Sequence, residues 1–430
     1  MNHRPNARGC AAELLCLVAF GGRSLDKALS EATPAARDRA LVHELTIGCV
    51  RHFFSLSSEL DARLHSALKP RDAIVYCLLL VGAYQLRHTR VPQYAAVNET
   101  VDAARQIGRP WASGLINQIL RRIVSEPPPP PASEEAALDH PLWLIEQIRR
   151  DYPTLWEGVL SASLSRAPLS LRVNRSKSNR QRYLEALISG GVSAHFGSPG
   201  DCILLDAPIP AVDIPGLRDG WVSVQDSGAM WAAQLLDAKR DDRVLDACAA
   251  PGGKAMHIAE LTPRVDLLAL DIDADRCELL RAECVRLGVD PSVVMQGDAT
   301  GLDWWDGRPF QRVLLDVPCS GTGTLRRHPD IKLLKRESDI AQYQAIQGRM
   351  LENIWRVVGE EGRLLYCTCS ILKSENDHVI ERFLARTPDA AVIQIRADWG
   401  FATSCGRQLL PEVNGPDGFY YAILERRAAQ

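Results

Sequence analysis

Two cysteines of this 430-residue chain stand 50 positions apart, each in a loop of small and hydroxyl-bearing residues. Cys319 lies in Asp316-Val317-Pro318-Cys319-Ser320-Gly321-Thr322-Gly323, and Cys369 in Tyr366-Cys367-Thr368-Cys369-Ser370. A free cysteine is usually an inert, buried, small hydrophobe, a reading that suits Cys10, Cys16, Cys49 and Cys77. It does not suit thiols in Gly/Ser/Thr-rich loops. Activated as a thiolate, one of the two could form a covalent intermediate and split one difficult step into easier ones.

A third loop suits a ligand. In Val244-Leu245-Asp246-Ala247-Cys248-Ala249-Ala250-Pro251-Gly252-Gly253-Lys254 an apolar strand runs into a turn of small residues and opens a helix. Small side chains let a ligand approach the backbone, and a helix N-terminus offers free N–H groups. The spacing is not GxGxxG, and Ala255 follows Lys254 where a phosphate-binding loop would need a hydroxyl for magnesium. Asp271, 25 residues beyond Asp246, is placed to accept from ribose hydroxyls, and Asp298 from an adenine amino group. A single acid at a strand end is more often a helix cap. Three consecutive strand ends furnished this way point to a nucleoside with a small charged tail, and S-adenosylmethionine is the expected cofactor.

Thiols beside a methyl donor suit methylation at carbon 5 of cytosine. That carbon is too weak a nucleophile until a thiolate adds to carbon 6. An acid near ring nitrogen 3 promotes the addition, a role that falls to Asp316 if burial raises its pKa. A base then takes the carbon 5 proton, and the second thiol assists release.

Positioning these loops requires a sheet. Strands are predicted at Val244–Asp246, Leu267–Asp271, Val293–Gln296, Val313–Asp316 and Leu364–Cys367, alternating with helices. That rhythm implies a Rossmann-like, mainly parallel α/β sheet with all the loops on one edge. Before it, residues 138–225 read as a small α+β domain. Residues 1–126 read as all helix, with Ile74, Cys77, Leu78, Val81 and Tyr84 at helical spacing, as are Leu41, Leu45 and Cys49. Pro127 to Pro131 open a linker, 127–137, that forces an extended path and marks the front domain as independent. The methyltransferase domain is then 226–430.

With 46% hydrophobic and 24% charged residues the chain has the composition of a soluble globular protein. Its net charge of −3 conceals an asymmetry: residues 1–124 carry 16 Lys+Arg against 10 Asp+Glu, a net +6, which leaves −9 elsewhere. A basic front module suits a polyanion. The longest apolar run, Ala73 to Leu86, is too short for a bilayer, and no signal segment is evident, so a cytoplasmic protein without membrane association is expected. Twelve cysteines without a CxxC pair argue for reduced thiols and against zinc.

The run Asp246 to Lys254, the Asp-Val-Pro-Cys-Ser of 316–320 and the Thr-Cys-Ser of 368–370 resemble the RNA cytosine-5 methyltransferases of the Nop2/Sun type, specifically the bacterial Sun/Fmu group that acts on 16S ribosomal RNA. His328 to Lys332 and Gly418 to Tyr421 add to the likeness. Arg39 to Leu45, Gly82 to Leu86 and Val97 to Val101 resemble the helical RNA-binding domain named after the antiterminator NusB. The resemblance implies Cys369 as nucleophile and Cys319 as the release cysteine. It implies cofactor contacts from Cys248, Ala249, Ala250, Pro251, Gly252, Gly253, Lys254, Asp271, Asp298 and Asp316, no metal, and a monomer acting on RNA and not DNA. The chain departs from the pattern at Val317 and Cys367, where alanine is expected, and at Thr324, where an apolar residue is usual. In an unbroken strand Cys367 would face the same side as Cys369, making it a rival nucleophile. Competing functions are a methyltransferase of small molecules or proteins, which needs no paired cysteines, and a non-catalytic RNA-binding or antitermination factor with a vestigial methyltransferase domain.

Overall fold

The apolar run beginning at Ala73 forms the helix Ala73–His88, in which Val75 and every residue from Cys77 to Gln85 are buried. A helix apolar on all sides must be enclosed. Here it is packed by the helices Ala7–Ala19, Arg39–Arg51, Phe53–Asp61, Gln93–Gln106 and Ser113–Ser125. The computed structural model describes residues 5–428. Among these no helix is long and apolar enough to cross a membrane, and all twelve cysteines are free thiols. Pro127 to Pro131 adopt neither helix nor strand.

The chain divides into two units, one comprising residues up to Ser165 with Leu325–Arg336, the other Arg166–Thr324 with the chain from Glu337 onward. In the first unit the 325–336 segment is built into the helices. The buried Lys332 amine donates to the carbonyls of Arg51 (2.6 Å) and Asp139 (2.7 Å), and Asp330 accepts from the Leu25 amide at 2.9 Å. Burial pushes the Lys332 pKa down to about 7.

The second unit contains two sheets. The smaller is antiparallel, in the order β2-β3-β1-β4, from β1 (Leu169–Val173), β2 (Ala194–Phe196), β3 (Cys202–Leu205) and β4 (Val222–Val224). Its fully buried Arg172 pairs with Glu260 at 2.8 Å and donates to the Gly253 carbonyl, which ties this sheet to the helix Gly253–Leu261 behind the ligand loop.

The larger sheet comprises β5 (Arg243–Asp246), β6 (Asp266–Asp271), β7 (Val294–Gln296), β8 (Phe310–Asp316), β9 (Val358–Thr368), β10 (Ala390–Ile393), β11 (Phe401–Ala402), β12 (Arg407–Leu409) and β13 (Phe419–Arg426). The order is β11-β12-β13-β9-β8-β5-β6-β7, with β10 on β13. All five expected strands are present and mutually parallel. The sheet is nevertheless mixed, because β10 to β13 pair antiparallel beyond β9. Those strands leave little periodic signal: β11 has two residues, and β13 is buried continuously from Phe419 to Leu424. Strand β5 lies between β6 and β8, so the order reverses there and the carboxyl ends of these strands open a crevice for ligands.

Candidate active site

Three loops meet at that crevice. The first leaves β5 at Asp246, turns through Gly252 (φ 110°) and enters the helix at Gly253. Its positive φ makes Gly252 a position for glycine, and a Cβ there would also stand 2.5 Å from the end of the Leu280 side chain. Asp246 is buried; its Oδ1 accepts from the Cys248 amide at 3.4 Å, and its Oδ2 is buried without a hydrogen-bond partner. Such an orphan in a small-residue loop fits a ligand donor. Burial, reinforced by the Asp316 charge, pushes the Asp246 pKa up to about 7. Asp246 lies outside the expected contact loop Cys248–Lys254, although its place at a strand end is visible in the sequence.

Asp271 ends β6. It is buried, accepts from the Ala250 amide at 3.1 Å, and thereby shapes the first loop as well as facing the crevice edge. Ile272 beside it leaves 61% of its surface exposed, an apolar face that sequence patterning did not single out. Asp298 behaves differently. Both its carboxylate oxygens are engaged by Thr300, through the amide at 2.8 Å and the hydroxyl at 2.7 Å, so it caps its own exposed turn.

Asp316 at the end of β8 forms an ion pair with Lys254 of the first loop. Although burial opposes the charged amine, Asp316 holds the Lys254 pKa above the ordinary lysine value. Burial brings the Asp246 carboxyl group to neutral pH, and Asp316 carries the lysine ammonium. Cys367 is fully buried and donates to Asp316 Oδ1 at 3.3 Å. Burial raises its thiol well above the usual range, which disfavours the thiolate that a nucleophile needs.

The loops after β8 and β9 bring Cys319 Sγ to 3.4 Å from Cys369 Sγ. The hydrogen bond between them lowers the Cys369 pKa and, with burial, raises that of Cys319 well above the ordinary value. Lys254 adds to the lowering at Cys369. The pair is thus polarised, the thiolate being favoured at Cys369 over Cys319. The loops touch directly: the Gly323 amide donates to the Cys369 carbonyl at 2.9 Å, and a Cβ on Gly323 would lie 2.2 Å from the Gly418 oxygen. The sequence-predicted residues Cys248 to Lys254, Asp271, Asp316, Cys319 and Cys369 therefore share one edge, while Asp298 stands at its rim.

Family models match three stretches: "16S rRNA methyltransferase RsmB/F" over residues 233–425, "NusB family" over 5–125, and an RsmF/B-like ferredoxin-like domain over 140–212. The Ribosomal RNA small subunit methyltransferase B of Pseudomonas syringae pv. tomato is 41% identical over 440 residues, covering 99% of this chain and 98% of that protein. The protein of the same name from Shewanella oneidensis is 40% identical, covering 97% and 99%. Among solved structures, PH0851 superposes with a TM-score of 0.81 at 24% identity over 98% of this chain and 99% of that one. NSun6 from Pyrococcus horikoshii superposes with a TM-score of 0.60 at 17% identity, covering 67% and 99%. With family models matched over residues 5–125, 140–212 and 233–425 and full-length relatives at about 40% identity, the chain belongs to the RsmB/F family of 16S rRNA methyltransferases.

Proposed function

We propose that this protein methylates carbon 5 of a cytosine in 16S ribosomal RNA, using S-adenosylmethionine and Cys369 as the covalent nucleophile. What carries this function is the polarised thiol pair, Cys319 and Cys369 with sulfurs 3.4 Å apart, beside the Lys254–Asp316 ion pair. Neither a small-molecule methyltransferase nor a non-catalytic RNA binder needs two juxtaposed loop thiols.

The residues present fit the cofactor. The small-residue turn Cys248–Lys254, the unpartnered Asp246 Oδ2, Asp271, Asp298, Asp316 and the exposed Ile272 are the groups that would hold it. Bound S-adenosylmethionine supplies an electrophilic methyl group. The chain does the rest. The Cys369 thiolate forms a bond from Sγ to carbon 6 of the pyrimidine, which delivers the electron pair to the ring. The Lys254–Asp316 pair offers a proton-bearing partner for the negative charge developing at ring nitrogen 3. After carbon 5 is methylated and a base has removed its proton, the carbon 6–sulfur bond breaks and the electron pair returns to Cys369. Cys319, within hydrogen-bond distance of that sulfur, assists the release. The basic helical front part, net +6, supports a polyanionic substrate.

The test is incubation with methyl-labelled S-adenosylmethionine and unmodified 16S rRNA, followed by bisulfite mapping. Label confined to 5-methylcytosine is expected. Label at another base or at the ribose would overturn the cytosine chemistry.

A further inference from the structure

We propose that Glu375 is a positioning residue that holds the two cysteine loops at their working separation; this rests on the cysteine roles given above. Glu375 is fully buried in the turn Lys373–Glu375 that follows the second cysteine loop. Its carboxylate receives four donors. Oε1 accepts from the Ser320 amide (2.9 Å) and Gln347 Nε2 (3.1 Å), and Oε2 accepts from the hydroxyls of Ser320 (2.5 Å) and Ser370 (2.6 Å). Ser320 and Ser370 are the residues immediately after Cys319 and Cys369. The Ser320 amide belongs to the planar peptide whose carbonyl is that of Cys319, so fixing it fixes the backbone that carries the thiol. Gln347 also donates to the Pro318 carbonyl at 3.0 Å, holding the same loop from the other side of Cys319.

A packing role does not call for this residue type. A buried carboxylate is costly unless well satisfied, and its charge here pushes both thiols upward, against formation of the nucleophile. A carboxylate is, however, an acceptor at both oxygens, and it can take donors from two loops at once. An amide of the same shape keeps only one acceptor oxygen. Glu375 thus joins Ser320 to Ser370 through a single group, and their separation governs the contact between the two sulfurs. Attack needs Cys369 alone, whereas release needs both thiols in register. Loosening this clamp therefore impairs release more than attack.

The experiment compares full-length Glu375→Gln and the double variant Ser320→Ala/Ser370→Ala, which retains the charge, with Cys319→Ala as a positive control for trapping. Each is checked for folding and for S-adenosylmethionine affinity, then incubated with cofactor and 16S rRNA and run on a denaturing gel. The expected result is near-wild-type cofactor affinity, a kcat lower by about tenfold or more, the order set by one lost hydrogen bond to a charged acceptor, and a trapped protein–RNA band in both variants. A merely structural role would lower the melting temperature without a trapped band. If both variants fold and leave no trapped band while Cys319→Ala traps, the positioning role is overturned. If the control itself does not trap, the cysteine roles have failed instead. Should Glu375→Gln not fold, the double serine variant decides, and if that also fails to fold, Glu375 is a structural residue and the proposal falls.

Discussion

Cys319 Sγ and Cys369 Sγ lie 3.4 Å apart, and the hydrogen bond between them lowers the pKa of Cys369 while raising that of Cys319. Burial raises the pKa of both thiols, but at Cys369 the hydrogen bond to Cys319 and the nearby Lys254 ammonium lower it. Cys319→Ala should therefore attack RNA and accumulate as a denaturant-stable adduct, visible as a shifted band. Cys369→Ala and the double variant should show none, because without attack nothing is trapped. A band with Cys369→Ala alone would reverse the two roles.

Cys367→Ala should keep activity within a few-fold of wild type and should form no adduct. Its thiol is fully buried and donates to Asp316, so its loss removes one weak hydrogen bond and a sulfur's worth of packing, roughly 1 kcal/mol of stability. Abolished methyl transfer in a variant that melts normally would show that Cys367 takes part in the chemistry.

Asp271→Ala should weaken S-adenosylmethionine binding by roughly 1.5 to 3 kcal/mol. Two losses combine, an acceptor at the crevice and the bond to the Ala250 amide that shapes the loop. Asp298→Ala should cost less, since that carboxylate already serves Thr300. Calorimetry on both variants tests the ranking, and equal losses would contradict it.

Asp246 makes the stability of the cofactor-free protein depend on pH. Its folded pKa of about 7 exceeds the ordinary carboxylate value of 3.8, so between these values the folded state keeps a proton that the unfolded state has lost. Its contribution is fully present below about pH 4, declines as pH rises, and is lost above about pH 7. Asp246→Asn should flatten that slope by a few kcal/mol at most over the window, the order that a shift of this size implies. Parallel denaturant titrations from pH 4.5 to 8 test it; identical slopes would place the pKa elsewhere.

Deletion of residues 1–126 is expected from the proline run to leave an intact remainder. The structure changes that expectation, because Leu325–Arg336 belongs with the helical unit. The deletion removes the Arg51 carbonyl from Lys332 and the Leu25 amide from Asp330. The truncated protein should therefore be cleaved by limited proteolysis within 325–336, where the full-length chain is protected. Protection in both would show that the segment holds without its helical partners.

Much of this was legible in the residues alone. Strand–loop–helix boundaries such as Val244 to Lys254 are written in local composition, and a parallel sheet places every strand's carboxyl end on one edge. That is enough to bring Asp271, Asp316, Cys319 and Cys369 into one neighbourhood. Helical periodicity likewise marks residues 1–126 as all helix, although the unit they belong to continues past Pro127 to Pro131 as far as Ser165. What composition cannot express is partnership between residues distant in sequence. Only the fold decided that Cys367 turns to Asp316, that Asp316 is paired with Lys254, that burial raises the Asp246 pKa, and that Asp298 serves its own turn. Which of two thiols keeps the proton depends on burial and on charges within a few ångströms. The membership of Leu325–Arg336 in the helical unit was hidden for the same reason: its Asp330 and Lys332 find their partners roughly 200 to 300 positions away, and local pattern carries no record of contacts made only when the chain is folded.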